Sequence, residues 1–277
     1  MTRTQSTIAA DAGARSERGA ARRTWNEVRW ARILVLLFLL FAWQAVTSLG
    51  LVSPRVLASP TTVAQTGLAL LASGELPRHL WVSLGRVSRG LALGVSAGVT
   101  LALVAGLFRL GEDLLDAPIQ MLRTLPVLAL VPLFILWFGI GETPKIALVS
   151  LGTFFPVYLN TYAGIRSVDN KLVEAATTLG LGRIGLVAHV VLPAALPNAL
   201  VGLRHSMGVA WLVLVISEQI NATAGIGYLM TNAREFLRTD IIVLGLAIYA
   251  LLGLSTDLFV RWLERNVLGW RAAFAGR

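Results

Sequence analysis

Six stretches of the chain are apolar for about the 20 residues that a helix needs to cross a bilayer, and polar segments separate them. They cover residues 33–51, 90–108, 119–138, 146–165, 196–220 and 241–260. The third is the least uniform, because Arg123 stands near its start and Pro126 and Pro132 interrupt it. Proline in a spanning helix frees backbone carbonyls, which is tolerable where the helix faces protein or a water-filled cavity. This stretch is therefore a candidate pathway lining, with a kinked packing helix as the alternative. Within the second stretch Gly90, Gly94, Gly98, Ala102 and Gly106 recur at every fourth position. Such a stripe lets two helix backbones approach closely, either inside one subunit or across a dimer seam. Before it, Leu76, Leu80, Leu84 and Val87 recur at helical spacing among Glu75, Arg78, His79 and Arg86, a pattern that predicts an amphipathic helix at the membrane surface.

Composition agrees with the pattern. Hydrophobic residues make up 56% of the 277 and charged residues only 14%, well below the roughly one quarter usual in soluble domains. The fold class expected is all-α, a polytopic membrane protein with about six transmembrane helices. The net charge of +9 raises the question of nucleic acid. Seven of the arginines, however, lie within the first 32 residues, ahead of the first apolar run. Basic residues there belong on the cytoplasmic side of a bilayer. No basic stripe interleaved with aromatics exists to hold a nucleic acid, so none is expected as a partner. With six spans both termini share one side. Arg55, Arg78, Arg86, Arg89, Lys145, Arg234 and Arg238 fall on the other, and the remaining 17 of the 24 basic residues fall with the termini. That asymmetry predicts cytoplasmic termini. Residues 1–32 then form a cytoplasmic basic tail, 33–265 the membrane domain with a long loop at about 166–195, and 266–277 a cytoplasmic C-terminal tail. The chain has no cysteine, which excludes disulfides and thiolate chemistry.

The loop between the fourth and fifth spans is the most informative segment. It reads Asp169-Asn170-Lys171-Leu172-Val173-Glu174-Ala175-Ala176-Thr177-Thr178-Leu179-Gly180. Asp169 or Asn170 can cap a helix, Gly180 can end it, and Leu172, Val173, Ala176 and Leu179 form one apolar stripe. A second short helical piece ends at Leu192-Pro193. A stripe of this kind in a cytoplasmic loop needs a surface to cover it, on a partner protein or on the chain's own cytoplasmic face.

The order Glu174-Ala175-Ala176, Gly180, Val190 and Leu192-Pro193 resembles the EAA motif of binding-protein-dependent ABC importer permeases, with Val190 where that family prefers isoleucine. Further segments, Ile119-Gln120-Met121-Leu122-Arg123, Leu136-Trp137-Phe138-Gly139-Ile140, Gly152-Thr153-Phe154-Phe155-Pro156-Val157-Tyr158 and Asn232-Ala233-Arg234-Glu235-Phe236-Leu237, are similar to those of aliphatic sulfonate permeases, with nitrate and taurine permeases as near relatives. The resemblance implies a type I ABC importer permease, the transmembrane subunit that moves a small solute, a sulfonate or related anion. A solute-binding protein outside the membrane would deliver the solute. The resemblance also implies a pair of permease subunits, read as a homodimer, and a coupling helix that docks in a cleft of an ABC ATPase. Glu174, Ala175, Ala176 and Gly180 would lie at that contact, and Leu192-Pro193 would start the next helix.

Other chemistry is absent from the sequence. The two lysines follow Pro144 and Asn170, so neither belongs to a phosphate-binding Gly-Lys-Ser/Thr loop. His79, His189 and His205 match no zinc spacing, and no Gly-x-Ser-x-Gly elbow occurs. The chain is expected to be no enzyme, to carry no metal or cofactor, and to take its energy from a separate ATPase. The alternative is an ion-coupled secondary transporter, which would need paired midplane carboxylates or inverted broken helices, and neither is evident. Charged groups inside spans are costly and stand as functional candidates. Arg204, in the first turns of the fifth span, can meet an anion, snorkel or pair structurally. Glu218, near the other end of that span, can pair with Arg234 or Arg238 or shape a gate. Asp257 can pair with Arg261 one turn on. Tyr158 and Asn160, after Pro156, are solute hydrogen-bonders or packing groups.

Overall fold

The computed structural model describes residues 34–269, and every regular element among them is helical. The described residues fall into two compact units, one reaching to Gln65 and one starting at Thr66.

In the first unit, α1 (Leu34–Ser48) is a short apolar helix whose residues 34–41 are all exposed, as a lipid-facing surface requires. The predicted first span begins at Ile33, outside the described residues. At the far end of α1 the indole of Trp43 donates to the Ala58 carbonyl (3.2 Å). Ser59 then caps α2 (Pro60–Ala72) by accepting from the Thr62 amide, which satisfies one of the free N–H groups of the first turn.

The second unit is built on three long helices: α3 (Glu75–Leu107), α6 (Glu142–Arg166) and α9 (Leu192–Asn221). α6 lies between the other two. The small stripe of α3 packs on α6, within the chain. A Cβ on Gly90 would strike Val149, one on Gly94 would strike Thr153 and the Ser150 carbonyl, and one on Gly98 would lie 3.0 Å from the Phe154 carbonyl. The opposite face of α6 meets α9 by the same device. A Cβ on Gly202 would sit 2.8 Å from the Pro156 carbonyl, and one on Gly164 2.8 Å from that of Ala195. Glycine takes these positions because backbone touches backbone there. α10 (Ile226–Glu235) and α11 (Thr239–Val267) pack outside α9. The Trp211 indole donates to Thr256 (3.1 Å) between α9 and α11. Gly245 of α11 abuts Met230 of α10.

Four helices are long and apolar enough to cross a membrane, namely α3, α6, the run Arg183–Asn221 ending in α9, and α11. Among the described residues a bent pair of shorter helices passes the same test only when the two are taken together, as a broken span or a re-entrant loop. The third predicted span, 119–138, is not one helix. α4 (Arg109–Leu122) ends, the chain turns at Pro126, and a 3-10 turn (Val127–Leu130) leads into α5 (Val131–Phe138), the pieces meeting at 84°. Pro126 is extended (ψ 110°), which stops α4, whereas Pro132 sits in the first turn of α5, where its missing N–H costs nothing.

Two further expectations change. The amphipathic segment at 76–87 is not a separate surface helix but the first turns of the 33-residue α3. At about 1.5 Å per residue α3 is roughly 50 Å long, longer than the hydrocarbon core, so its outer turns reach beyond it. The stripe that was expected to face lipid is turned inward, with Leu76 and Val87 buried beside His79, Ser83 and Arg86. The second helical piece of the long loop also does not end at Leu192-Pro193. α8 (Arg183–Leu186) passes through a π-turn (Val187–Val191) straight into α9. The Leu192 amide reaches back to the Val187 carbonyl, and this wider ring accommodates Pro193, which has no amide to offer.

Candidate functional site

The long loop forms α7 (Asn170–Thr178), which is closed at both ends. The Asp169 carboxylate accepts from the Lys171 amide (2.9 Å), so Asp169, not Asn170, is the cap. At the other end Gly180 takes φ +86°, and the Leu181 amide bonds the Ala176 carbonyl (3.1 Å). This is a left-handed glycine closure, and a residue with a Cβ would be strained there. Along α7 the predicted apolar stripe is split. Ala176 is buried and Val173 half-buried, whereas Leu172 (56%) and Leu179 (82%) are exposed, as is Ile184 (87%) in α8. Glu174 and Ala175 are exposed too. α7 and α8 together therefore show three large apolar side chains, an acid and a small residue to their surroundings.

The remaining candidates all have partners or packing neighbours within the chain. Tyr158 is fully buried between Phe154 and Tyr162, stacked on the latter at 5.9 Å with the rings nearly parallel. Asn160 donates to the Pro156 carbonyl (2.8 Å) on its own helix, at the α6–α9 contact. Arg204 pairs with Glu264 (2.6 Å) and lies 3.6 Å from Asp257, tying α9 to α11. Asp257 also accepts from Arg261 (2.7 Å), as expected from their spacing.

Glu218 pairs with neither Arg234 nor Arg238. Arg238 bonds Asp240 (2.7 Å) instead, and that bond raises its guanidinium above the ordinary value. The partner of Glu218 is Arg86, at 2.7 Å, and both side chains are almost wholly buried. Arg86 also grips Glu142 through Nε (2.6 Å) and Nη2, and donates to the Ala224 carbonyl (2.6 Å). Glu218 accepts as well from the Ser83 hydroxyl (2.8 Å) and the Gly227 amide (2.9 Å). The Ile226 amide donates to Ser83 (2.9 Å) and the Gly225 amide to His79 Nδ1 (3.0 Å). The free N–H groups at the start of α10 are thus satisfied by α3 and α9 rather than by a local cap, and Glu218 sets a negative charge against that helix terminus. Gly225 (φ +118°) is required because a Cβ there would meet the Glu218 carboxylate. Lys145, also buried, donates to the Gly141 carbonyl (2.6 Å) in the first turn of α6. The sequence held the signal for this cluster: His79, Ser83 and Arg86 share one helix face with Leu76 and Val87, and a lone carboxylate in an apolar helix needs a cation.

The model of the family described as "Binding-protein-dependent transport system inner membrane component" matches residues 94–269, more than half of the chain. The chain belongs to this family. The permease is 46% identical over 248 residues to a protein named as an aliphatic sulfonates transport permease, SsuC, of Bacillus subtilis (89% of this chain, 90% of that one). It is 50% identical over 232 residues to the protein so named in Escherichia coli (84% and 88%), and 38% identical to the taurine transport permease TauC of the same species (85% and 87%). Among solved structures, an amino acid ABC transporter determined with histidines matches at a TM-score of 0.61, covering 73% of the permease and 97% of that chain at 19% identity. That likeness establishes the fold. The permease is accordingly the multi-pass inner-membrane subunit of an ABC importer, and ATP hydrolysis belongs to a separate subunit. The ion-coupled alternative falls with this assignment.

A groove of about 650 Å³ opens on the permease between α3, α5 and α6. Leu93, Ala97, Phe134, Ile146 and Phe154 line it, and Thr143 and Ser150 are its only hydroxyl groups.

Proposed function

We propose that the permease imports an aliphatic sulfonate and that α7 is the helix through which an ABC ATPase drives it. The observation that carries the coupling role is the surface of α7: capped at both ends, small at Ala175, and presenting Leu172, Leu179 and Ile184 uncovered. Side chains of that size lose contact with water only when a partner covers them. The EAA spacing supports the same contact for Glu174, Ala175, Ala176 and Gly180, with Leu192-Pro193 carrying the chain into α9. The sulfonate reading rests on the names of the SsuC proteins, which are more similar to this chain than the taurine permease is. A homodimer of permeases, two ATPases and a binding protein outside the membrane complete the assembly. Residues 1–32 and 266–277 are its cytoplasmic tails, flanking a membrane domain at 33–265.

The steric test of coupling belongs at Ala175, which is exposed, because Ala176 is turned inward. Ala175→Trp obstructs the contact, and Gly180→Val strains the exit turn by about 1 kcal/mol. At matched membrane expression both variants lose most of their uptake and co-purify poorly with the ATPase. Normal uptake with normal association in both would end the coupling assignment.

Orientation has its own test. Reporter fusions after Arg277 and within the 139–145 loop are expected to lie on opposite sides, the first in the cytoplasm. Equal signals from the two would remove the topology.

A further inference from the structure

Arg123 sits at a break between two helices. It closes α4, just before the turn at Pro126, in the bent pair whose two helices together are apolar enough to enter the membrane. Its depth follows from its neighbours in the chain. Ile119, four residues before it, packs with Ala102, Phe155 and Tyr158. Val127, four residues after it, packs with the cluster of Leu148, Val149 and Leu214. These two levels fall on either side of the middle of α6, which sets Arg123, counted with the termini by charge alone, part-way along that apolar helix and not at its end. Its side chain is exposed, and among the described residues no carboxylate pairs with it. Three arginines of the long helices lie close to carboxylates instead. Arg86 and Arg204 hold carboxylates, and Arg166 lies 3.3 Å from Glu112. A guanidinium left facing hydrocarbon at that depth would be strongly unfavourable, so its surroundings must supply water or an anion. Its neighbours Met121, Leu122, Leu125 and Leu128 are also exposed, which makes a charged point on an apolar wall. That combination suits a solute with an oxyanion at one end and a short alkyl chain at the other.

We infer that Arg123 faces the solute pathway and binds the anionic headgroup of the transported alkanesulfonate, while the apolar wall of Met121, Leu122, Leu125 and Leu128 accommodates its alkyl chain. The planar fork of donors on arginine matches a sulfonate through two parallel hydrogen bonds, which lysine reproduces only as a point charge. A lipid phosphate offers similar chemistry, but phosphates lie at the membrane surfaces. The inference rests on the sulfonate reading above for the identity of the anion, and on the position of Arg123 alone for its access to water.

The test uses the whole transporter, permease with ATPase and binding protein, in proteoliposomes. Arg123→Gln is expected to lower ethanesulfonate uptake by about tenfold or more, the loss of one charge-assisted recognition element. ATP hydrolysis stimulated by the binding protein persists in that variant, and Arg123→Lys recovers part of the uptake. Because the chain has no cysteine, Arg123→Cys places a unique thiol in it. That thiol is expected to react with the membrane-impermeant sulfonatoethyl methanethiosulfonate, and a thiol placed instead at the exposed neighbour Leu125, with Arg123 retained, is expected to react more slowly in excess ethanesulfonate but not with added lipid phosphate. Undiminished uptake by Arg123→Gln overturns the inference. So does a thiol at 123 that stays unlabelled while one at the exposed Ile140 reacts. Joint loss of uptake and stimulated hydrolysis, without recovery by lysine, assigns Arg123 to the architecture and overturns it too. A wild-type transporter that moves no alkanesulfonate refutes the substrate instead, and labelling at 123 still decides whether the position faces the pathway.

Discussion

Glu218→Ala is expected to destabilise the permease by about 3–5 kcal/mol, because it leaves Arg86 buried with half of its charge partners gone. The geometry makes the loss large. Glu218 takes hydrogen bonds from Arg86, Ser83, the Gly227 amide and, at 3.4 Å, the Tyr249 hydroxyl at one buried point, so its removal takes the acceptor from four donors at once. Each orphan carries its own desolvation cost. Glu142 cannot compensate, because it is already committed to Nε and Nη2 of Arg86. Thermal unfolding in detergent reads the effect. The double variant Arg86→Met, Glu218→Leu is expected to be more stable than Glu218→Ala, since no charge then remains unpaired between α3 and α9. A single variant as stable as the wild type would show that the cluster contributes nothing to the fold.

Gly94→Leu is expected to cost about 3 kcal/mol or more, at the upper end of what overpacking does. A Cβ at this position meets the Thr153 side chain and the Ser150 carbonyl of α6 together. A side chain can rotate away, but a carbonyl in the middle of a helix cannot, so α3 and α6 must separate. Gly208→Ala in α9 is the control, with nothing within 4 Å of the added carbon. It should leave the melting temperature unchanged or slightly raised, as replacement of glycine inside a helix does. Because the contact lies inside one chain, Gly94→Leu should lower the melting temperature of isolated subunits as well as that of the assembly. A change of oligomer size without loss of subunit stability would place the stripe at a dimer seam instead.

What the sequence made legible was whatever has a period. The apolar runs located α3, α6, α9 and α11, and the four-residue stripe announced a close helix contact, although only the structure put α6 opposite it. The caps of α7 could be read because Asp169 and Gly180 are local chemistry that depends on no distant residue. Three misreadings share a cause. Leu76, Leu80, Leu84 and Val87 look the same whether the apolar face meets lipid or protein, so the outer turns of α3 were taken for a surface helix. The prolines of the third span were legible as an interruption, but their unequal effects depend on which one stands in a first turn. Glu218 and Arg86 are 132 residues apart, and nothing local tells one to expect the other. Charge counting even placed Arg86 in water, because it lies in the outer turns of α3. For Arg204, pairing was one of the options the sequence left open, and the structure sets Glu264 within 2.6 Å of it.

The unbroken passage from α8 through the wide turn into α9 has a mechanical consequence. Arg183–Asn221 is one continuous run of 39 residues, a rod of about 60 Å at the usual rise per residue. One end begins just beyond the loop helix, and the other carries Glu218 and the loop that starts α10. A rod of this kind conveys axial displacement with little loss, so the start of the run beside α7 and Glu218 near its other end are joined mechanically. The wide turn at Val187–Val191 is where the hydrogen-bond register is loosest, so twist is taken up there before it reaches the glycine-lined contact with α6.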